Sequence, residues 1–201
     1  MDATGDTCFA RAAAWIADTR LGSGGSGHRG GLVSGFVDHG HHAGIRLSWF
    51  RAIGGYDAAF SHNEDAEFDQ RLRQAGGRIW LDARIRLAYA VRPGLGPLVR
   101  QAWAYGRGRA RTVRRHRARP RLRQLLPPLA VVAILGGAMV APVSALGLLP
   151  LAGYTLLAAA TSAAGAASLR SPCGLWAGPA LAALHLPWGA GFLVELLAGR
   201  D

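Results

Sequence analysis

The pattern of apolar and polar positions changes once along the chain. Residues 125–198 are apolar and carry only two formal charges, Arg170 and Glu195, whereas residues 2–123 are polar, glycine-rich and hold nearly all the charge. This division predicts a polar part followed by a membrane part, not one large globular core. Three apolar stretches, residues 125–149, 151–169 and 173–198, each reach or approach the ~20 residues needed to cross ~30 Å of hydrocarbon. The middle one is rich in alanine and is the weakest of the three.

In the polar part, residues 7–20 predict a short helix with Phe9, Ala12, Ala13 and Ile16 as its apolar stripe. Residues 21–31, Leu-Gly-Ser-Gly-Gly-Ser-Gly-His-Arg-Gly-Gly, are too glycine-rich for a regular element. They read either as a flexible linker or as a loop whose backbone approaches a ligand closely. Residues 32–37 and 42–47 read as short strands. Residues 48–53 read as a helical turn closed by Gly54 and Gly55, which supply the positive φ of a C-cap. In the next helix Asn63 can cap, Glu64 and Asp65 complement the dipole, and Phe68 with Leu72 form the buried face. Gly76 and Gly77 end it. Residues 78–81 and 85–91 follow as strands, the second stopped by Pro93, and residues 97–116 have helical potential.

Charge then fixes an orientation. Ten arginines and no acid lie between residues 100 and 123, directly before the first apolar stretch. The positive-inside rule puts that block in the cytoplasm. If all three stretches cross, Arg170 falls on the same side, the uncharged connection at residues 149–150 faces outward, and residue 201 ends outside. Residues 1–14 lack the basic start and apolar core of a secretory signal, which keeps the polar part cytoplasmic. A sequence pI near 11.3 invites a nucleic-acid reading. The basic run abuts a membrane stretch, however, where anionic lipid explains it, so no nucleic-acid partner is expected. Cys8 and Cys173 fit no metal or disulfide spacing and read as buried thiols in a reducing compartment.

The chemistry-bearing segment is Gly54-Gly55-Tyr56-Asp57, then Phe60, then Asn63-Glu64-Asp65. Acids in a first helical turn stabilise it by about 0.3–1 kcal/mol each, which is the structural account of Glu64 and Asp65. Glu67 has Arg71 four residues on, and Asp69 has Arg73, so both have ordinary partners, and Glu67→Gln should be mild. Glu64 instead faces Phe68, and Asp65 faces Asp69. A second carboxylate one turn away should raise the Asp65 pKa, which suits a general base. His39, His41 and His42 form an imidazole cluster, and a strand would put His39 and His41 on one face as metal candidates. Packing or substrate hydrogen bonding is the commoner use of such residues. His185 reads as a helix-packing or interfacial residue.

The segment Gly-Gly-Tyr-Asp-x-x-Phe followed by Asn-Glu-Asp resembles the acceptor-side signature of family 2, GT-A-fold glycosyltransferases. Val37-Asp-His-Gly-His-His42, Arg46 and Arg71-Leu-Arg-Gln-Ala-Gly-Gly-Arg-Ile-Trp80 sharpen the likeness, as do Gln101 and Tyr105-Gly-Arg-Gly-Arg-Ala-Arg-Thr112. Together they are similar to the subgroup that extends lipid-linked sugars in bacterial exopolysaccharide synthesis, the succinoglycan glucosyltransferase type, over about residues 10–192.

The resemblance implies an α/β fold, the C-terminal half of a GT-A domain, over residues 1–96. An arginine-rich juxtamembrane helix over 97–124 and about three transmembrane helices over 125–199 would follow. It implies a bacterial inner-membrane enzyme with its catalytic part in the cytoplasm. Asp65 would be the general base of inverting sugar transfer, with Glu64 orienting the acceptor or that base. Gln101 would contact the acceptor, and Arg107 and Arg109 the diphosphate. Processive relatives carry Gln-x-x-Arg-Trp here. This chain reads Gln101-Ala-Trp-Ala-Tyr-Gly-Arg107, which favours addition of a single sugar. The glycine-rich loop with His28 and Arg29 would lie near the donor, which favours the ligand-loop reading of residues 21–31.

Complete members bind the nucleotide sugar with a preceding half that ends in Asp-x-Asp, where Mg2+ or Mn2+ sits. No Asp-x-Asp occurs here, so this chain alone is expected to bind no metal and to transfer no sugar. The implied partners are a nucleotide sugar for the complete enzyme, a lipid-linked saccharide acceptor and anionic membrane lipids. The competing reading is a catalytically silent membrane remnant or scaffold that binds lipid-linked sugar.

Overall fold

A computed structural model of the chain describes residues 2–26, 34–40 and 43–198. The polar part begins with strand β1 (Asp2–Thr4) and helix α1 (Cys8–Asp18), which Thr7 caps by accepting from the Ala10 amide at 3.0 Å. The expected stripe of α1 is buried: Phe9, Ala12, Ala13 and Ile16 are all at most 8 % exposed. A single helical turn, α2 (Arg20–Ser23), follows and is closed by Gly24 at φ 60°. The first residues of the glycine-rich stretch are thus helical, because Thr19 caps them by accepting from Gly22 N at 3.1 Å. Then come β2 (Gly35–Val37), α3 (Leu47–Ala52), α4 (Glu64–Gln74), β3 (Ile79–Leu81) and β4 (Ala88–Ala90). Gly54, Gly55 and Gly76 take the positive φ that the turns after α3 and α4 require.

Sheet is sparse. Strand β1 pairs in parallel with β4, and β2 pairs antiparallel with β3, in two separate two-stranded ladders. The α/β layering expected from the resemblance is therefore not what the described residues show: helix dominates, and each ladder is three residues long. Residues 43–46 form no strand. Arg46 is instead the extended residue before α3, so the pattern at 42–47 belongs to a helix entry, and His42 lies outside the described residues.

Helix α5 (Leu95–Arg115) leads to three apolar helices, α6 (Leu122–Val140), α7 (Leu149–Leu169) and α8 (Ala177–Leu197). Short 3-10 turns, Ala145–Leu148 and Pro172–Trp176, precede the last two. All three apolar helices are long and apolar enough to cross a membrane. Helices α6 and α7 form a hairpin closed at Gly137 and Gly147. A Cβ on Gly137 would strike the Gly147 carbonyl and Pro150. The turn before α8 and its start pack along the second half of α7, where Ser162 Oγ donates to Leu175 O at 2.7 Å and accepts from Gly178 N at 3.1 Å.

The main core lies between the two parts. Phe9, Ala13 and Ile16 of α1 and Leu98 of α5 cluster with Ala180, Leu181 and Ala183 of α8. A second, smaller core joins Phe68 and Leu72 of α4 to Ile79 of β3. Cys8 and Cys173 are disulfide-bonded across 165 residues of sequence, with Cα atoms 4.8 Å apart. This corrects the expectation of two separate thiols. The start of α1 is carried to the turn before α8, a juxtaposition no spacing rule can register. Phe9 meets Trp176 edge-on at 5.8 Å and Trp15 Nε1 donates to Ser168 Oγ at 2.9 Å, so the same joint is also held without the sulfurs.

Candidate functional site

Helix α4 is oriented by a buried ion cluster. Glu67, 1 % exposed, accepts from Arg71 Nε at 2.8 Å and Nη2 at 2.7 Å, and meets His116 Nε2 at 2.9 Å. Arg71 also donates to Ile53 O at 2.6 Å and Gly55 O at 2.7 Å. The Glu67 bond holds the Arg71 guanidinium above its ordinary pKa. One carboxylate thus ties together α4, the Gly54-Gly55-Tyr56-Asp57 turn and the end of α5. The Tyr56 ring completes the joint against Phe68 at 5.2 Å and Phe50 at 5.5 Å. Glu67 was expected to tolerate replacement because its partner lies one turn away. Its burial and its third partner, His116, were not visible in the sequence.

Asp65 stands in the first turn of α4 with about a quarter of its side chain exposed, and its Oδ1 accepts from Ala66 N at 2.7 Å. Its Oδ2 lies 3.8 Å from His39 Nε2. The opposite ring atom, Nδ1, lies 2.7 Å from Asp69 Oδ2, which also accepts from Gly40 N at 2.9 Å. A carboxylate can only accept, so Nδ1 carries the hydrogen and Nε2 is turned toward Asp65. Asp69 therefore pairs with His39 and not with Arg73, as the helical spacing had suggested. Arg73 reaches Asp38 at 3.4 Å instead. Arg109 of α5 completes the surroundings. Burial pushes its guanidinium below the usual value, and the nearby Asp65 carboxylate pulls it back up. Asp65, which has no cation within its own helix, faces two cationic or potentially cationic groups from other elements.

A cavity of about 860 Å³ opens beside this cluster, between α1, α2, α5, α6 and α8. His39, Asn63 and Ala66, the neighbours of Asp65, line one end; Asp65 and Glu64 stand just outside the lining. Gln101 and Arg109 lie in the wall, and Gln101 Nε2 donates to Tyr89 Oη at 3.0 Å and Tyr105 Oη at 3.1 Å. Arg119, Arg121 and Arg123 add positive charge where α5 gives way to α6, and Leu126, Pro127, Leu184 and Trp188 supply an apolar wall. One cavity thus joins a polar, cationic end to an apolar end at the start of the first apolar helix.

The expected diphosphate pair divides. Arg109 faces the cavity, but Arg107 donates from Nε to Glu195 Oε2 of α8 at 2.8 Å and is absent from the lining. Glu64 is half-buried on the first turn of α4. His28, Arg29 and His41 lie outside the described residues. Among the described residues no group of three His, Cys, Asp or Glu could hold a metal, and His39 is engaged by Asp69. Asn63 occupies the N-cap position of α4 at φ 61° without capping it. Its side chain donates to Tyr105 O at 2.9 Å, which pins the turn before α4 to α5.

Sequence reasoning missed the glycines that allow this contact. A Cβ on Gly108 would lie 2.6 Å from both His62 O and Asn63 Nδ2, and one on Gly106 would overlap the Trp188 carbonyl of α8. The Tyr105-Gly-Arg-Gly-Arg run therefore lets one helix approach the turn before α4 on one face and α8 on another. The alternation of glycine with arginine was the available signal.

The chain is similar over its whole length to the succinoglycan biosynthesis protein ExoA of Rhizobium meliloti (strain 1021), with 44 % identity over 200 residues. It spans 60 % of that relative's length. No family model and no solved structure matches the chain.

Proposed function

We propose that this chain supplies the acceptor site and general base of an inverting glycosyltransferase of family 2, acting at the bacterial inner membrane in exopolysaccharide synthesis. Similarity to a succinoglycan biosynthesis protein supports the process, and the acceptor-side motifs support the reaction. The observation that carries the reading is Asp65 beside a cavity that runs from His39 and Arg109 to the apolar wall at the start of α6. A saccharide linked to a lipid through a phosphate ester fits such a cavity. The sugar lies toward Asp65, the anionic linkage lies among Arg109, Arg121 and Arg123, and the lipid leaves along Leu126 and Trp188.

In this reading Asp65 accepts the proton of an acceptor hydroxyl as that oxygen attacks the anomeric carbon of the donor sugar. The nucleoside diphosphate leaves from the opposite face, inverting the centre. Gln101, held by two tyrosine hydroxyls, orients the acceptor. Because the sequence carries no Asp-x-Asp, donor binding and the divalent metal that neutralises a leaving diphosphate would belong to a nucleotide-binding part completing the enzyme. The arginine block supports a cytoplasmic catalytic side. Disulfides are rare there, and as adjacent thiols Cys8 and Cys173 would still sit in a joint held by Phe9, Trp176, Trp15 and Ser168.

The test is Asp65→Asn in the enzyme completed with its nucleotide-binding part. It keeps the shape but cannot take the proton, and turnover should fall about 10²–10⁴-fold. Asp82→Asn, in the turn after β3, serves as the control. Near-normal turnover of Asp65→Asn would reject the assignment.

A further inference from the structure

We infer that α8 does not cross the bilayer. It lies along the membrane face beside α5, and the α6–α7 hairpin is the part that spans. This placement does not depend on the proposed chemistry. It overturns the expectation that residue 201 ends outside.

The first argument is depth. Helix α8 runs parallel to α5 over nearly its whole length. Leu98 packs with Leu181 near one end, Gly106 and Trp103 lie against the Trp188 carbonyl and Gly191 in the middle, and Arg107 and Arg111 hold Glu195 at the other end. Arg114 adds a bond to Glu195 O at 3.0 Å. Helix α5 carries Arg100, Arg107, Arg109, Arg111, Arg114 and Arg115. An arginine in mid-bilayer costs about 2.5–3.5 kcal/mol even on the lenient insertion scale, so α5 stays out of the hydrocarbon. A helix packed along α5 from end to end shares its depth.

The second argument is connectivity. Helices α6 and α7 form a hairpin, so the start of α6 and the end of α7 lie on one face. Helix α8 is entered from the last turns of α7, where Gly174 meets Gly165 and Ala166, runs back against Ala158 in the middle of α7 at Gly178, and passes the start of α6 where Gly189 meets Pro127. The first and last of these points lie on the face of the arginines, and Glu195 then ends against α5. A crossing would carry residue 195 to the opposite face, ~30 Å away.

The third argument is burial. Of the most apolar stretch of α8, 39 % is buried within the protein, against 6 % in α6 and 11 % in α7. A helix apolar on all sides is one that is enclosed, by lipid or by protein. Here the enclosure is protein: α1 on one side, α5 on another, the start of α6 and the second half of α7. The polar part even hydrogen-bonds to it, with His185 Nε2 3.1 Å from Leu21 O. Apolarity, which makes α8 look like a span, is accounted for by this packing. The side chains left exposed, among them Val194 and Leu197, suit the headgroup–acyl boundary.

Two measurements on the full chain in native membranes test the placement. Green fluorescent protein and alkaline phosphatase are fused in turn after Ala198 and, as a control, within the α6–α7 connection after Pro142. The expected result is fluorescence without phosphatase activity after Ala198, and phosphatase activity without fluorescence after Pro142. Phosphatase activity after Ala198 would overturn the inference. Independently of reporters, Arg111→Cys with Glu195→Cys, in a chain whose native cysteines are serine, should cross-link with a short thiol-reactive bridge. Loss of that cross-link in chains that still carry the connection outside would overturn it equally.

Discussion

Replacing Glu67 by glutamine separates the sequence reading from the structural one most sharply. On helical spacing alone Glu67 is half of a surface ion pair, and such pairs are worth about 0.3–0.5 kcal/mol. In the fold it is 1 % exposed and accepts from two Arg71 nitrogens and meets His116. Glutamine keeps one oxygen but turns an amide donor toward groups that are donors themselves, and leaves the Arg71 charge uncompensated. Breaking a buried pair costs about 3–5 kcal/mol. Arg71 keeps its bonds to Ile53 O and Gly55 O and is 23 % exposed, which places the cost near the lower figure. For a chain of this size that corresponds to a fall of about 6–12 °C in Tm. Thermal unfolding of the detergent-solubilised chain, with Glu64→Gln as the comparator, measures it. A shift no larger than that of the comparator would refute the view that this carboxylate holds α4 against the turn before it.

Two further outcomes are expected. His39→Gln should lower turnover of the completed enzyme by about tenfold and move the acidic limb of its rate–pH profile, because the ring lies between Asp69 and the base; an unchanged profile at normal turnover would exclude a positioning role. Titration calorimetry of the chain alone with nucleotide sugars, with and without Mg2+ or Mn2+, should show no metal-dependent micromolar binding, and such binding would show that the donor site lies within these residues.

What could be read from the sequence was periodic or conformational. The α1 stripe, the glycine turns after α3 and α4, the buried Phe68 and Leu72, and the three apolar helices all follow from local rules, and the structure contains each. What could not be read depended on a partner distant in sequence. Asn63 suits a helix cap, yet Tyr105 O, brought close by the Gly108 contact, takes its side chain. Asp69 and Arg73 have good helical spacing, yet His39 and Asp38 are the partners they meet. Helix α8 is the largest case. Composition reports that a segment must be shielded from water, but not whether lipid or protein provides the shield.

The division of Arg107 from Arg109 was within reach of the same local rules. Residues two apart on a helix are separated by about 200° around its axis, so they cannot converge on one phosphate group. Assigning both to a single diphosphate treated a helix as though it were a loop. The geometry gives them different tasks. Arg109 turns into the cavity beside Asp65, while Arg107, with Arg111 four residues on, turns outward to Glu195. Gly108 lies between them in sequence and receives the turn before α4, and Gly106 receives α8. Within six residues α5 thus presents one face to the turn before α4, one to the cavity and one to α8. The distance from Asp65 to the bilayer is therefore set by a single rigid helix, as the proposed role of Asp65 on a lipid-tethered hydroxyl would require.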